Sequence, residues 1–151
     1  MTIYRERLWP TAWLYISTAL IIPASILVFM PINIIAGYVT AAVLYGAIVL
    51  FLMFSAPTIE VDEQELRAGK ATLPISIIGT VSTFQGAQAT LERGQRLDAR
   101  AWLMIRGWVS PVAKLELVDE SDPTPYWLLS SRTPELLAEA IAQSKLRTPG
   151  K

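Results

Sequence analysis

The chain has 151 residues, in which thirteen Lys and Arg balance thirteen Asp and Glu, and it contains neither His nor Cys. Without imidazole or thiol, the commonest nucleophile–base pairs and most transition-metal sites are excluded. Without an excess of base there is no electrostatic footprint for nucleic acid.

The placement of charge says more than its sum. No acidic or basic residue falls between Leu8 and Ile59, which is not how a soluble core of this size reads. As one straight helix the stretch would be about 78 Å long at about 1.5 Å per residue, against a hydrocarbon thickness of about 30 Å. Two spans fit instead, broken at Met30–Asn33, because Pro31 cannot continue a helix and Asn33 suits a turn. Residues 1–56 are therefore expected to form a membrane anchor with spans at about 8–30 and 34–55. Arg5 and Arg7 resemble the basic end of a signal peptide, but the apolar run is several times longer than the roughly 7–15 residues such a peptide carries.

Arg5 and Arg7 precede the first span, Arg67 and Lys70 follow the second, and the connecting loop is uncharged. The positive-inside rule then places both termini in the cytoplasm, in a multi-pass protein of the inner (plasma) membrane. Trp9, Trp13 and Tyr15 suit the headgroup level at the start of the first span. Pro10 fits a first helical turn, whereas Pro23 lies mid-span and should kink the helix. In the second span, Gly37 with Ala41 and Ala42 with Gly46 are small residues four apart, a spacing that lets another backbone approach closely. They serve either packing against the first span or docking onto another integral membrane protein. Apart from tyrosine, the spans hold no ionisable group, which argues against transport by this chain alone.

From Pro57 onward twelve acids meet eleven bases, the balance of a water-soluble domain. Thr58–Asp62 alternates apolar and polar residues, and Glu65–Ala68 follows after a polar turn, predicting a hairpin. Further short β-rich runs lie at Ala71–Ile78 and Val81–Phe84, with Pro74 marking an edge or bulge. Ala87–Gly94 reads as a short helix or a loop, and Ala101–Val109 and Val112–Asp119 read as strands. In Asp122–Leu136, DPTP is a turn and YWLLSS an apolar strand. Thr133 then suits a helix N-cap, Pro134 the first helical position and Glu135 the positive end of the dipole. Leu136, Leu137, Ala140 and Ile141 form the stripe by which this helix should lie across the sheet. The expected fold is a helical hairpin plus a small β-rich α+β domain, residues 57–151, with an antiparallel sheet or barrel closed by a C-terminal helix.

YRERLWP at Tyr4–Pro10, two spans, a β-rich tail and DPTPYWLLSSRTPEL together resemble the small actinobacterial membrane proteins catalogued as domain of unknown function 3093. The resemblance covers nearly the whole chain and implies no activity, cofactor or catalytic residue. The strand succession closed by one amphipathic helix is also similar in architecture to a bacterial pleckstrin-homology-like domain.

Few residues stand out as a site. Arg132, with Ser130 and Ser131 before a helix N-terminus, has the chemistry to hold an anion or a lipid phosphate. Trp102 and at least one of Tyr126 and Trp127 are expected in the core, whereas Trp108, after Arg106 and Gly107, is the candidate for an exposed membrane or partner contact. A Ser–Lys dyad of Ser76 with Lys70 or Lys114 lacks a strained nucleophile turn. The acidic groups EVDEQE and DESD lack an EF-hand spacing and read as solvated faces. No catalytic, metal or cofactor-binding residue is therefore expected. Two functions remain: a non-enzymatic accessory or assembly subunit of a membrane complex, joined through Gly37, Ala41, Ala42 and Gly46, or a lipid-responsive membrane-surface sensor acting through Arg106, Trp108 and Arg132.

Overall fold

The computed structural model describes residues 1–119 and 121–147, so Glu120 of the acidic turn and the last four residues of the expected 57–151 domain lie outside it. The chain forms two units, one from Met1–Leu8 together with the chain from Pro57 onward, the other from Trp9–Ala56. The units divide between residues 56 and 57 as expected, but the first eight residues, assigned above to the anchor, belong with the sheets.

The helical unit contains α1 (Ala12–Thr18), α2 (Ile21–Phe29) and α3 (Ile34–Phe54). The first span begins at Ala12 and not at Leu8, and it is broken at Ala19 and Leu20. Pro23 accounts for the break: it lacks an N–H, and its ring crowds the carbonyl four residues earlier, that of Ala19. Asn33 starts α3, its Oδ1 accepting from the Ile35 and Ala36 amides at 2.9 and 3.3 Å, which satisfies two of the amides a helix start leaves open. The segments Ala12–Phe29 and Ile34–Phe54 have mean hydropathies of 2.0 and 2.2 and are long and apolar enough to cross a membrane. Only 6% and 11% of their most apolar stretches are buried.

The sheet unit holds two four-stranded sheets. The first is a meander of β1 (Tyr4–Arg7), β2 (Thr58–Val61), β3 (Glu65–Ala68) and β4 (Ala71–Pro74), all antiparallel. The expected hairpin is present: Asp62 Oδ1 accepts from the Gln64 and Glu65 amides at 3.0 and 2.9 Å. These backbone donors lower the Asp62 carboxyl below its usual range. The next turn is a two-residue loop led by Gly69 at φ 61°, a conformation other residues adopt only with strain. Pro74 ends the edge strand, where a missing N–H costs no ladder bond.

The second sheet comprises β5 (Ile78–Phe84), β6 (Trp102–Met104), β7 (Val112–Leu117) and β8 (Tyr126–Ser130), in the order β5-β7-β8-β6. Strands β6 and β8 run parallel, so the sheet is mixed and the pair of sheets is not one closed barrel. Only Trp102–Met104 of the expected Ala101–Val109 strand is extended. Ala87–Gly94 resolves as a helix, α4 (Gly86–Arg93), and the last helix, α5, spans Pro134–Arg147.

Strand β8 is buried at every position because both faces of its sheet are covered. Trp127 and Leu129 join the main core with residues of the first sheet and α5, whereas Tyr126 and Leu128 join a second cluster with Ala89 of α4. Trp102 stacks on Trp127 with centroids 4.0 Å apart; of the aromatics weighed for the core, Tyr126 and Trp127 are both buried and Trp102 packs partly buried against it. On α5 the buried face is Leu137, Ala140, Ile141 and Ser144, while Leu136 is 53% exposed. Leu137, Ala140 and Ile141 of the expected stripe are buried, and Leu136 is not.

Leu8 is wholly buried in the main core, so Leu8→Ala should destabilise the sheet unit by about 2–4 kcal/mol. Leu146→Ala, at a side chain 82% exposed, should change stability by less than about 0.5 kcal/mol. Denaturant midpoints of the full chain in detergent, read by tryptophan fluorescence, check the pair.

Candidate functional site

Three places concentrate function-bearing features: the junction of β1 with α5, a charged cluster under α4, and the small-residue face of α3.

Alternation along Tyr4–Arg7 leaves Arg5 and Arg7 exposed and turns Tyr4 and Glu6 inward. There the Glu6 carboxylate gathers three donors. Oε2 accepts from Tyr4 Oη at 2.7 Å and Ser131 Oγ at 2.6 Å, and Oε1 from the Arg132 amide at 2.8 Å. Since the Tyr4 and Ser131 protons both go to Glu6, the Thr133 hydroxyl is the donor in its 2.9 Å contact with Tyr4, and Ser131 Oγ accepts from the Thr133 amide at 3.2 Å. Burial is the largest influence on the Tyr4 phenol and raises its pKa, which keeps its proton on the oxygen that donates to Glu6. A carboxylate thus sits where α5 begins, the end at which a helix dipole and open amides favour negative charge.

Under α4, Glu92 is 4% exposed. Its oxygens lie 3.2 Å from Arg96 Nη1 and 3.2 Å from Lys114 Nζ. Lys114 also sits 4.3 Å from the centroid of the Tyr126 ring, and the Tyr126 oxygen accepts from the Asp98 amide at 2.8 Å. A buried carboxylate requires such partners, because an unpaired charge in this position would be strongly unfavourable. The cluster ties α4 to β7 and β8.

In the helical unit the two small-residue pairs separate. Gly37 and Ala41 are buried, and a Cβ on Gly37 would come 3.2 Å from Ile26 Cα and 3.4 Å from Phe29 Cβ. That pair serves the approach of α2 to α3. Ala42 is exposed, and a Cβ on Gly46 would meet nothing within 4 Å.

The residues picked out for lipid or partner contact have internal roles. Trp108 is half-buried against the main core, with its indole N–H donating to the Leu8 carbonyl at 3.1 Å, so the expectation of an exposed ring is corrected. The Arg106 amide donates to Ser130 Oγ at 2.9 Å, and its guanidinium to the neighbouring Ile105 carbonyl at 3.0 Å. The Arg132 side chain is exposed while its amide is held by Glu6. Ser130 and Ser131 are fully buried, so the anion position imagined at this helix start is filled from within. Lys114, considered for a Ser–Lys dyad, is engaged by Glu92. Tyr4 and Glu6 were missed as partners of Ser131 and Thr133, although their in–out alternation with Arg5 and Arg7 was the signal for a strand. Among the described residues no three Asp or Glu side chains gather to hold a metal ion.

A chain with an apolar helical pair and a separate two-sheet unit, fastened through its first strand, is the class of protein these features define. Residues 3–141 match the family described as protein of unknown function (DUF3093), and the chain belongs to that family. No curated protein matches it, and no solved structure does. The two end motifs are the ones that meet at Glu6.

Lys114→Met should destabilise the sheet unit by about 1–3 kcal/mol, since it strips one partner from a buried carboxylate. Arg96→Met, removing a side chain 55% exposed, should cost less than about 1 kcal/mol. Urea midpoints of the two variants in detergent give the comparison.

Proposed function

We propose that this protein is a non-enzymatic integral membrane protein, an accessory or assembly subunit that docks α3 against a helix of a larger membrane complex. The observation that carries the reading is the uncovered apolar surface of Ala12–Phe29 and Ile34–Phe54, which includes Trp13, Leu27, Val39, Val43 and Phe51, each more than half exposed. A surface of this extent calls for lipid or protein against it. Along α3, the pair Ala42 and Gly46 is the part left open once Gly37 and Ala41 are taken up by α2. Between helices in lipid, close packing at small residues supplies the attraction that apolar burial supplies in water.

Strand pairing supports the hairpin topology. Arg7 and Thr58 are register partners although the whole apolar stretch lies between them, so the flanks of the two spans share one side and the number of crossings is even. Arg5, Arg7, Arg67 and Lys70 favour the cytoplasm for that side. The participation of Tyr4–Arg7 in the first sheet also supports retention of the N-terminal segment, since cleavage would remove a strand.

The membrane-surface sensor reading rests on Arg106, Trp108 and Arg132. With the Trp108 ring against the core and its N–H on Leu8, less surface is left for a lipid contact.

Purification of the tagged, natively expressed protein in mild detergent should yield a stoichiometric complex with other membrane proteins. Gly46→Leu should leave the melting temperature within about 2 °C, because a Cβ there meets nothing within 4 Å, yet reduce recovery of the partner about tenfold or more. Gly37→Leu should instead lower the melting temperature, since its Cβ has no room. An undiminished complex with Gly46→Leu would overturn the docking reading, and recovery of the protein alone with bound lipid would favour the sensor.

A further inference from the structure

Strand β1 has an unusual combination of attachments. It lies at the edge of its sheet, bonded through the ladder to β2 and, among the described residues, to no other strand, so its departure would leave β2, β3 and β4 as a three-stranded sheet and break no ladder bond of the second sheet. Its fastening on the other side is polar: the Glu6 carboxylate, holding Ser131 Oγ at 2.6 Å and the Arg132 amide at 2.8 Å at the start of α5. At its end, Leu8 is buried, and its amide donates to the Pro57 carbonyl at 2.9 Å while its carbonyl accepts from Trp108. Only Trp9, Pro10 and Thr11 then separate it from the first residue of α1.

We infer that β1 is a releasable latch, through which displacement of the first membrane helix is transmitted to the start of α5 by way of Glu6. The inference rests on the membrane-spanning reading above. A linker of three residues, one of them proline, reaches at most about 10 Å when fully extended, at about 3.3–3.6 Å per residue, so its slack is limited and a displacement beyond that reach cannot be absorbed in it. Such a shift therefore loads the β1 ladder and the Glu6 bonds. An edge strand laddered on one side only can open locally, ahead of strands that are bonded on both sides. Unlatching would bare the edge of β2 at Thr58–Val61 and remove the negative charge from the start of α5, while β7 and β8, bonded on both sides, stay closed.

The test is hydrogen exchange by mass spectrometry on the full chain in lipid nanodiscs, after alkaline extraction has shown whether the protein is inserted. A helix tilts to fit bilayer thickness, so exchange of residues 3–8 and 131–133 should differ between discs of short-chain and long-chain phosphatidylcholine. Residues 112–117 should not change. Insertion of Gly-Ser-Gly-Ser after Pro10 should abolish the thickness dependence. Glu6→Ala should raise exchange in residues 3–8 and 131–133 together by about tenfold or more, the scale of losing a charged hydrogen-bond acceptor, again sparing residues 112–117.

Failure to insert would overturn the membrane reading and the latch with it. Insertion with exchange indifferent to thickness would overturn the latch alone. Exchange rising uniformly over the whole sheet unit in Glu6→Ala would also overturn it, by showing β1 to be an inseparable part of the core.

Discussion

Arg7 and Thr58 face each other across an antiparallel ladder, although nearly the whole charge-free stretch separates them in sequence. That pairing constrains the rest of the molecule. The intervening chain must go out and return, which two helices joined at Met30–Asn33 accomplish, with α3 lying against α1 and α2. Closing so long an excursion by a flexible loop would add only slowly growing entropy, but a flexible apolar segment of this length would have no defined return. Helices make the return fixed, and Gly37 lets them come close enough for it.

The polar chemistry of the sheet unit follows from the same strand. Alternation turns Tyr4 and Glu6 toward the start of α5, where Ser131 and Thr133 provide hydroxyls and Arg132 provides an amide. Here the anion that a helix start attracts is a covalent part of the fold, so the junction combines a charge-assisted fastening with the ladder beside it. Glu92 shows the same rule at another place: a buried carboxylate appears only where Arg96 and Lys114 meet it.

Much of this was legible in the sequence where local chemistry decides the outcome. Pro23 and Pro31 punctuated the apolar stretch, Thr133–Pro134–Glu135 announced α5, and the alternation at Thr58–Asp62 announced β2. Residues whose roles depend on distant partners were not legible. Tyr4–Arg7 reads as a basic flank until β2 is beside it, because its inward positions are Tyr4 and Glu6 and give the alternation no apolar face. Trp108 reads as exposed between Gly107 and Ser110-Pro111, because nothing local reveals that Leu8, a hundred positions earlier, offers its carbonyl. The parallel pairing of β6 with β8 likewise has no local signature, since a three-residue strand fits either direction.

Strand β6 finds its ladder partner only in β8 among the described residues, and β8 lies beyond β7 in the chain. During synthesis Trp102–Met104 would therefore be made well before anything could pair with it, and Trp102 would wait for the Trp127 ring on which it stacks. The second sheet is completed only when β8 takes its place between β7 and β6. A ribosome stalled before Tyr126 would carry the apolar helices complete beside a domain still without its centre.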